Sequence, residues 1–482
     1  MITAEVGVAR VEERELLRTL RWWDGFVIAL ANPGFLIASL GFTIGTLGPW
    51  GAVLVWTASM VIGTLQAWIY QEPAAMFPDK PGGIALYAHE GWKKYFTPAG
   101  PLATFGYWFG WSSVLSIFGL LIGNLITAQW FTGSTWSIDL GVSTFGLPEV
   151  IAITAIVGVA WFNLRGIRPT VWLSYVTGAL LFIPLLLIML GTFASGDFKA
   201  SNLKSSFPGW TLIFVWLYAM AWSSYATESV ATFAPEYKRP DDTSRALRSS
   251  SLFDIVVFFL LPLGVVGTLS VDQVNGPTGG DAAGTYVVTT MRQILGGGAA
   301  GFFLLFVVAG LLLSMNTATM DASRALYGIS REGLTLKWFG RLNDQHMPAN
   351  AIIADAAVNV ALLVLFDNTL AILVASNLGY VLAHILALTG VLLLRRDRPD
   401  AVRPVKLASY WLPVAAILAA LNVVFLVVGN LNLSKIGYAG TDKLAGISVE
   451  FWYGLLILLM SLVLWGYRRK VEDTRPEPVR QH

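Results

Sequence analysis

The chain has 482 residues, of which 55% are hydrophobic and only 13% charged, and its formal net charge is +2. A soluble globular chain carries roughly 25% charged residues. The composition therefore excludes an ordinary soluble domain, and the balanced charge gives no indication of nucleic-acid binding. The absence of cysteine excludes disulfides and thiolate metal sites. The four histidines are far apart in sequence, so we expect neither a metal ion nor a cofactor.

Apolar runs near the length that crosses a bilayer recur along the whole chain. They predict an all-α integral membrane protein with about twelve transmembrane helices. The predicted spans, in chain order, are 25–47, 50–70, 102–131, 147–163, 169–194, 210–235, 251–270, 298–330, 350–366, 370–394, 409–430 and 449–468.

The distribution of Lys and Arg predicts the orientation of these spans. Basic residues precede the first span and follow each even-numbered one, whereas residues 132–146 contain none. The positive-inside rule then places both termini in the cytoplasm, as tails 1–23 and 469–482. The first tail is rich in Glu and Arg, which is not typical of a signal peptide. The Ala, Gly and Leu content favours a bacterial inner membrane.

Two of the predicted spans contain an interruption. Ala31-Asn32-Pro33-Gly34 interrupts the first, and a cluster of small polar residues from Ser223 to Thr227 interrupts the sixth. Because five is odd, the sixth span enters the membrane from the side opposite the first. The pattern predicts two five-helix units of inverted topology, 24–194 and 210–394, followed by an appended pair of helices at 409–468.

Four groups of residues stand at the ends of predicted helices two, four, six and eight. In this order they resemble the amino acid–polyamine–organocation (APC) permeases, over about residues 22–394. The groups are Tyr70-Gln71-Glu72-Pro73 with Gly82-Gly83 and Tyr87; Asn163-Leu164-Arg165-Gly166; Glu228 and Glu236 with Lys238, Pro240 and Arg245-Ala246-Leu247; and Ser323-Arg324-Ala325-Leu326-Tyr327 with Arg331-Glu332-Gly333 and Pro348.

The resemblance implies a LeuT-like 5+5 fold, alternating access about a central site, and amino acids or related amines as substrates. Asn32-Pro33-Gly34 replaces the Gly-x-Gly run common in this family. In this it resembles branches that handle γ-aminobutyrate, choline or diamines as much as those that handle α-amino acids. Leu181 and Phe182 stand near the position where some proton-coupled members keep a lysine, which counts against that route of coupling.

An amino acid needs hydrogen-bond donors for its carboxylate and acceptors for its ammonium group. The half-helix that begins near Gly34 offers free N–H groups, and the first half of the broken sixth helix ends in free carbonyls. We therefore expect the substrate to bind at both breaks, with Trp222 and Tyr225 either covering it as a gate or simply packing. The predicted substrate-binding residues are Ala31, Asn32, Gly34, Phe35, Trp222, Ser223, Ser224 and Tyr225.

Several polar residues within the spans have predicted roles other than direct substrate binding. Glu228 either adds a charge to the site or braces its helix against a neighbour, and the resemblance favours bracing. Ser314 and Thr317, with carbonyls of the first helix, are candidates for a sodium site, but interhelical hydrogen bonding is the simpler interpretation of these hydroxyls. Asp321 and Arg324 stand three residues apart, which predicts an ion pair between them. The buried candidates for proton relay are Asp254, Asp355, His384 and, as the alternative to its ion pair, Asp321.

These observations predict a secondary active transporter that moves an amino acid across the cytoplasmic membrane by alternating access. It would work by symport with H⁺ or Na⁺ or by exchange, as a monomer or a non-covalent homodimer. No GxxxxGK[ST] phosphate loop and no catalytic residue set occur, so neither ATP-driven transport nor an enzyme is expected. The alternatives are a permease for amines such as γ-aminobutyrate, choline or diamines, and an amino acid sensor that does not transport.

Overall fold

A computed structural model describes residues 15–131, 133–134, 136–140, 144–275, 285–296, 300–365, 369–437 and 439–474. Most of these residues are α-helical. The α-helices are α1 Trp22–Ala29, α2 Asn32–Leu47, α3 Pro49–Met76, α4 Gly83–Trp92, α5 Ala99–Ser112, α6 Val114–Trp130, α7 Leu147–Leu164, α8 Ile167–Leu186, α9 Thr192–Ala194, α10 Trp210–Ser224, α11 Pro240–Thr268, α12 Val271–Asn275, α13 Thr285–Leu295, α14 Ala300–Arg331, α15 Ala349–Leu365, α16 Thr369–Asp397, α17 Trp411–Leu431 and α18 Val449–Tyr467.

Shorter elements connect or extend these helices. The strands form two small antiparallel pairs, β1 Ser137–Asp139 with β2 Thr144–Gly146, and β3 Lys443–Leu444 with β4 Ile447–Ser448. Two π-helical turns cover Leu187–Gly191 and Arg468–Glu472, and 3₁₀-helices cover Ala200–Leu203, Ala226–Glu236, Lys337–Gly340 and Leu433–Ile436.

The predicted spans all have helical counterparts within the described residues. Nine helices there are long and apolar enough to cross a membrane, and a tenth span is the bent pair Trp22–Ile37 and Ser39–Leu47, whose axes differ by 43°. The two remaining counterparts are the shorter apolar helix Ala349–Val364 and the succession of α10 with the 3₁₀-helix Ala226–Glu236. The prediction of an all-α integral membrane fold is confirmed. The division into inverted units at 24–194 and 210–394 stays a prediction.

Two helices of the bundle meet at a pair of glycines, Gly106 on α5 and Gly379 on α16. A Cβ atom added to Gly106 would lie 2.3 Å from the carbonyl oxygen of Gly379, and one added to Gly379 would lie 2.4 Å from the Cα of Gly106. Contacts this close require the absence of a side chain, as is usual where helices pack inside a membrane. These glycines therefore fix the distance between α5 and α16.

One end of the bundle, called the basic end here, carries two buried glutamates that bind arginines at the end of α16 and in the segment that follows it. Glu72, at the end of α3, accepts hydrogen bonds from Arg395, from Arg403 Nε at 2.9 Å and from the backbone N–H of Leu407 at 2.9 Å. Multiple charge-assisted bonds of this kind are among the stronger polar contacts in proteins. They attach the connection between α16 and α17 to the end of α3.

The second glutamate of the basic end, Glu90 on α4, accepts hydrogen bonds from three cations. Lys80 Nζ lies 3.0 Å from its carboxylate, Lys93 Nζ 2.8 Å, and Arg398 Nη2 2.9 Å. Burial works against the charged form of Glu90, but the bonds from Lys93, Lys80 and Arg398 outweigh it and lower the pKa of this carboxyl from 4.5 to about 2.

The contact between Gly106 and Gly379 predicts that glycine-to-leucine substitutions at two positions have different effects on stability. Gly106→Leu should lower the unfolding temperature of the detergent-solubilised protein, because overpacking of this kind costs about 1–3 kcal/mol or more. The matched control is Gly158→Leu on α7, where an added Cβ would meet no atom within 4 Å. Equal unfolding temperatures for the two variants would contradict the packing described for Gly106.

The lowered pKa of Glu90 predicts how its contribution to stability depends on pH. Because its pKa is lower in the folded protein, the contribution is complete above pH 4.5 and is lost as the pH falls towards 2. The unfolding temperature of Glu90→Gln should therefore lie below that of the wild type at neutral pH, and the difference should shrink below pH 4.5. Asp79→Asn is the control, because Asp79 pairs with Arg18 where both side chains are more than half exposed. A difference for Glu90→Gln that stays constant with pH would count against this account.

Candidate functional site

The first break lies between α1 and α2, at Leu30 and Ala31, one or two residues before the centre of the predicted interruption. Pro33 occupies the first turn of α2, where its missing N–H removes no helical bond. Two carbonyls at the first break accept hydrogen bonds from α14: Ile28 from Thr317 Oγ1 at 3.0 Å, and Ala31 from Ser314 Oγ at 3.0 Å. Both hydroxyls of the predicted sodium site are thus donors to the first break. Their role in ion binding stays a prediction.

The structure places Gly34 against α14. A Cβ atom on Gly34 would lie 2.4 Å from Ser314 Oγ, and its own N–H donates to the carbonyl of Ala31 at 2.9 Å. This glycine therefore allows α2 and α14 to approach each other, and its N–H already has an acceptor. A large residue at position 34 would push the two helices apart.

The second break lies at Tyr225, between the end of α10 at Ser224 and the 3₁₀-helix Ala226–Glu236. The interruption is where the sequence predicts it, but the chain continues as a tighter helix. A run of this length is unusual for a 3₁₀-helix and often marks strain or a hinge. Gly63 of α3 packs directly on the break, because a Cβ there would lie 2.2 Å from the carbonyl oxygen of Ser224. Ser59, also on α3, shares a hydrogen bond of 2.6 Å with Ser224.

Three side chains, called the break triad here, connect the two breaks. Asn32 Nδ2 at the start of α2 donates to Thr227 Oγ1 at 2.8 Å and to Asp254 Oδ2 of α11 at 2.8 Å. Thr227 Oγ1 donates to the same Asp254 oxygen at 2.9 Å. Each of the three side chains is at least 99% buried. Hydrogen bonds between buried polar groups thus join the breaks to each other and to α11.

Glu228, in the 3₁₀-helix, accepts three hydrogen bonds from two neighbouring helices. The donors are Tyr107 Oη at 2.8 Å and Trp111 Nε1 at 3.2 Å on α5, and Tyr380 Oη at 2.7 Å on α16. Its carboxylate is completely buried. The geometry is that of a brace, which is the role favoured by the resemblance. Sequence reasoning did not find the two tyrosines, because no local pattern distinguishes them from packing aromatics.

Phe35 from the first break and Trp222 from the second lie in one aromatic cluster. Their ring centroids are 5.0 Å apart, and Phe35 also contacts Trp111 at 5.7 Å and Phe118 at 5.2 Å. Trp222 Nε1 donates to the carbonyl of Gly110 at 2.9 Å, which fixes the orientation of its ring. Two of the predicted substrate-binding residues are therefore brought into contact from positions 187 residues apart (222 − 35).

Tyr225 extends to a different part of the molecule. Its hydroxyl donates to Asn422 Oδ1 of α17 at 2.9 Å, and its ring packs on His384 with centroids 5.0 Å apart. Asn422 in turn donates to Gln66 of α3 at 3.1 Å, and His384 Nδ1 shares a hydrogen bond of 2.9 Å with Tyr70. The appended helix α17 is therefore hydrogen-bonded directly to the second break.

The predicted ion pair between Asp321 and Arg324 is wrong. Arg324 forms a bidentate ion pair with Glu236 at the end of the 3₁₀-helix, in which Arg324 Nη2 lies 2.9 Å from Glu236 Oε2. The Arg324 guanidinium also lies 4.7 Å from the centroid of the Phe233 ring. A planar guanidinium binds a carboxylate best through two parallel bonds, and Glu236 offers that geometry. Neither oxygen of Asp321 has a hydrogen-bond partner among the described residues.

The two broken helices of this protein meet inside an apolar bundle. This arrangement is typical of membrane transporters, which bind small solutes at such breaks. Residues 20–462 match the family described as Amino acid permease, and the chain belongs to this family, within the APC superfamily.

Relatives of the chain include permeases for both amino acids and amines. It is 27% identical to the amino-acid permease RocE of Bacillus subtilis (strain 168), over 71% of this chain and 72% of that protein. It is 25% identical to the polyamine transporter PUT1 of Oryza sativa subsp. japonica, over 90% of this chain and 75% of that protein. It is 24% identical to the gamma-aminobutyric acid permease of Bacillus subtilis (strain 168), over 68% and 67% respectively. The chain is accordingly a multi-span membrane transporter of amino acids or amines rather than an enzyme.

The Glu228 brace predicts a loss of stability without a direct loss of substrate contacts. Glu228→Ala leaves Trp111 Nε1 and Tyr380 Oη without an acceptor, whereas Tyr107 Oη keeps its hydrogen bond of 3.2 Å with Thr232 Oγ1. Each unpaired buried donor costs about 1–3 kcal/mol before relaxation, so the unfolding temperature of this variant should fall clearly. Glu228→Gln keeps one carbonyl acceptor, so its unfolding temperature should fall less. Glu149→Ala is the control, because among the described residues Glu149 accepts a single hydrogen bond, from the N–H of Gly146 at the partly exposed start of α7. An unchanged unfolding temperature in Glu228→Ala, combined with lost substrate binding, would assign Glu228 to the substrate instead.

Proposed function

We propose that this protein is a secondary active transporter that moves an amino acid across the cytoplasmic membrane by alternating access, in symport with an ion or by exchange. The observation that supports this most strongly is the break triad. The triad joins the ends of two interrupted helices through buried hydrogen bonds. Buried polar groups inside a membrane protein cost free energy, and they typically mark a site of function.

The polar groups at the breaks suit both ends of an amino acid. The C-terminal end of α10, at Ser223 and Ser224, presents carbonyl groups and the negative end of a helix dipole to the ammonium group. The start of α2, at Ala31 and Asn32, presents the positive end of a dipole to the carboxylate. Because Gly34 packs on α14, we assign it to helix packing in this proposal and keep the other predicted residues in the site.

The aromatic cluster supplies a cover for such a site. Phe35 and Trp222 come from opposite breaks, so a tilt of either half-helix changes their contact. Glu228 holds the beginning of the 3₁₀-helix to α5 and α16, and Arg324 holds its end to α14. In this proposal the breaks are the points of bending, and these braced positions move together with their neighbours.

The basic end faces the cytoplasm in this proposal, with both termini on the same side. Its support is the concentration of Lys and Arg there, including the cations that bind Glu72 and Glu90. The protein works as a monomer or as a non-covalent homodimer.

An amine permease is the second candidate function. The observation that favours it is Asp254, a buried carboxylate beside both breaks, which is suited to an ammonium group. The relatives named as a polyamine transporter and a gamma-aminobutyric acid permease also support this alternative.

Proteoliposomes test both candidates. Labelled amino acids, and separately labelled amines, are offered with a pH gradient, with a sodium gradient, or with unlabelled solute inside. Accumulation driven by one gradient identifies a symporter, and stimulation by internal solute alone identifies an exchanger. Uptake of amines without amino acids would select the second candidate. No flux of either class by folded protein would contradict transport and favour a sensor.

Substitutions of two tryptophans on α10 test whether the aromatic cluster covers the substrate site. Trp222→Ala should reduce uptake by about tenfold or more, since an aromatic contact and its buried area together exceed about 1.4 kcal/mol. Trp210→Ala should leave uptake unchanged, because Trp210 is 66% exposed at the start of α10 whereas Trp222 is 3% exposed. Equal uptake by the two variants would remove Trp222 from the substrate site.

A further inference from the structure

The break triad contains two buried oxygen atoms that accept no hydrogen bond. Asp254 Oδ2 accepts from both Asn32 and Thr227, but Asp254 Oδ1 and Asn32 Oδ1 have no partner among the described residues. Asp254 is 1% exposed and Asn32 is not exposed at all. A buried carboxylate is stable only if it is paired, coordinated or protonated. The unpaired oxygens therefore point to a positive charge or a proton at this position.

No basic side chain of the described residues supplies that charge. The elements packed against α11 carry several titratable groups, and each of these groups has a hydrogen-bond or ion-pair partner other than Asp254. Asp24 accepts from Tyr175, Tyr70 binds His384, Glu72 binds Arg395 and Arg403, Glu228 binds two tyrosines and Trp111, and Glu236 binds Arg324. On α11 itself, Arg248 donates to Gln71 at 2.6 Å and Arg245 pairs with Asp241.

We propose that Asp254 is the coupling residue of the transporter and holds one monovalent cation, a proton or a sodium ion, at the break triad. This inference rests on the proposed transport function. A proton would bind Asp254 Oδ1 on the side of loading and leave to water on the other side. A sodium ion would use hard oxygen atoms, Asp254 Oδ1, Asn32 Oδ1 and Thr227 Oγ1. In both cases the bound cation cancels the charge of Asp254.

The proposed site at Asp254 differs from the one formed by Ser314 and Thr317 in that it carries a formal charge. The hydroxyls of Ser314 and Thr317 and the carbonyls that they bind are neutral and already satisfy one another. Asp254 brings a formal charge, and its unpaired oxygen lies beside residues of both breaks. A cation that binds there contacts the first break through Asn32 and the second through Thr227. Because binding and conformation are linked, such a cation and the substrate favour the same arrangement of the two half-helices.

Asp254→Asn tests the proposal in proteoliposomes. The amide has the shape of the carboxylate without its charge, so exchange of labelled for unlabelled substrate should remain measurable. Accumulation driven by a gradient should be lost. A tenfold cation gradient drives up to about tenfold accumulation in one-to-one coupling, and the variant should stay at the external concentration. Loss of the pH-driven accumulation identifies the cation as a proton, and loss of the sodium-driven accumulation identifies it as sodium.

Glu450→Gln is the matched control. Glu450, near the start of α18, is also buried. Like Asp254 it has one hydrogen-bonded oxygen, which accepts the N–H of Gly440 at 2.9 Å, and one oxygen without a partner in the described part of the chain. This variant should accumulate substrate as the wild type does. The proposal is overturned if Asp254→Asn accumulates normally, if it loses exchange although it is folded, if Glu450→Gln fails equally, or if the wild type only exchanges. Absence of any flux in the wild type would instead reject the proposed transport function.

Discussion

The hydrogen bonds from Asn32 to Thr227 and Asp254 are the interaction on which the arrangement of this bundle depends. Inside a membrane, backbone and side-chain polar groups find no water, so an interrupted helix must satisfy them within the protein. Here each interruption does so through the other and through its neighbours. The two breaks consequently lie together in the interior of the bundle, where Asn32, Thr227 and Asp254 are all buried.

Around this centre, hydrogen bonds and close helix contacts hold the elements that flank the two breaks. The 3₁₀-helix is held at one end by the donors to Glu228 and at the other by Arg324. Gly106 and Gly379 keep α5 and α16 in contact, and Glu72 attaches the segment after α16 to α3. The backbone changes its helical type at Tyr225, three residues before Glu228. In the proposed alternating-access mechanism, bending at the breaks would leave these contacts between the surrounding helices intact.

The appended helix α17 is part of this arrangement. Its Asn422 accepts from Tyr225 and donates to Gln66, so a helix outside the two predicted repeats is bonded to the second break and to α3. Membership in the amino acid permease family extends over this region as well, because the match runs to residue 462. The position of α17 gives it a direct influence on the conformation at Tyr225.

The sequence by itself determined the class of this protein and the places where its helices break. Bilayer thickness sets the length of an apolar span, and Pro33 and the residues from Ser223 to Thr227 act locally on the helix that contains them. The tertiary structure decided which residues meet. Arg324 lies one turn from Asp321 but binds Glu236, and Tyr225 binds α17 while Trp222 joins Phe35. These partners are separated by between 88 and 197 residues. Local periodicity carries no information about such pairs, because helix packing and the geometry of each side chain select them.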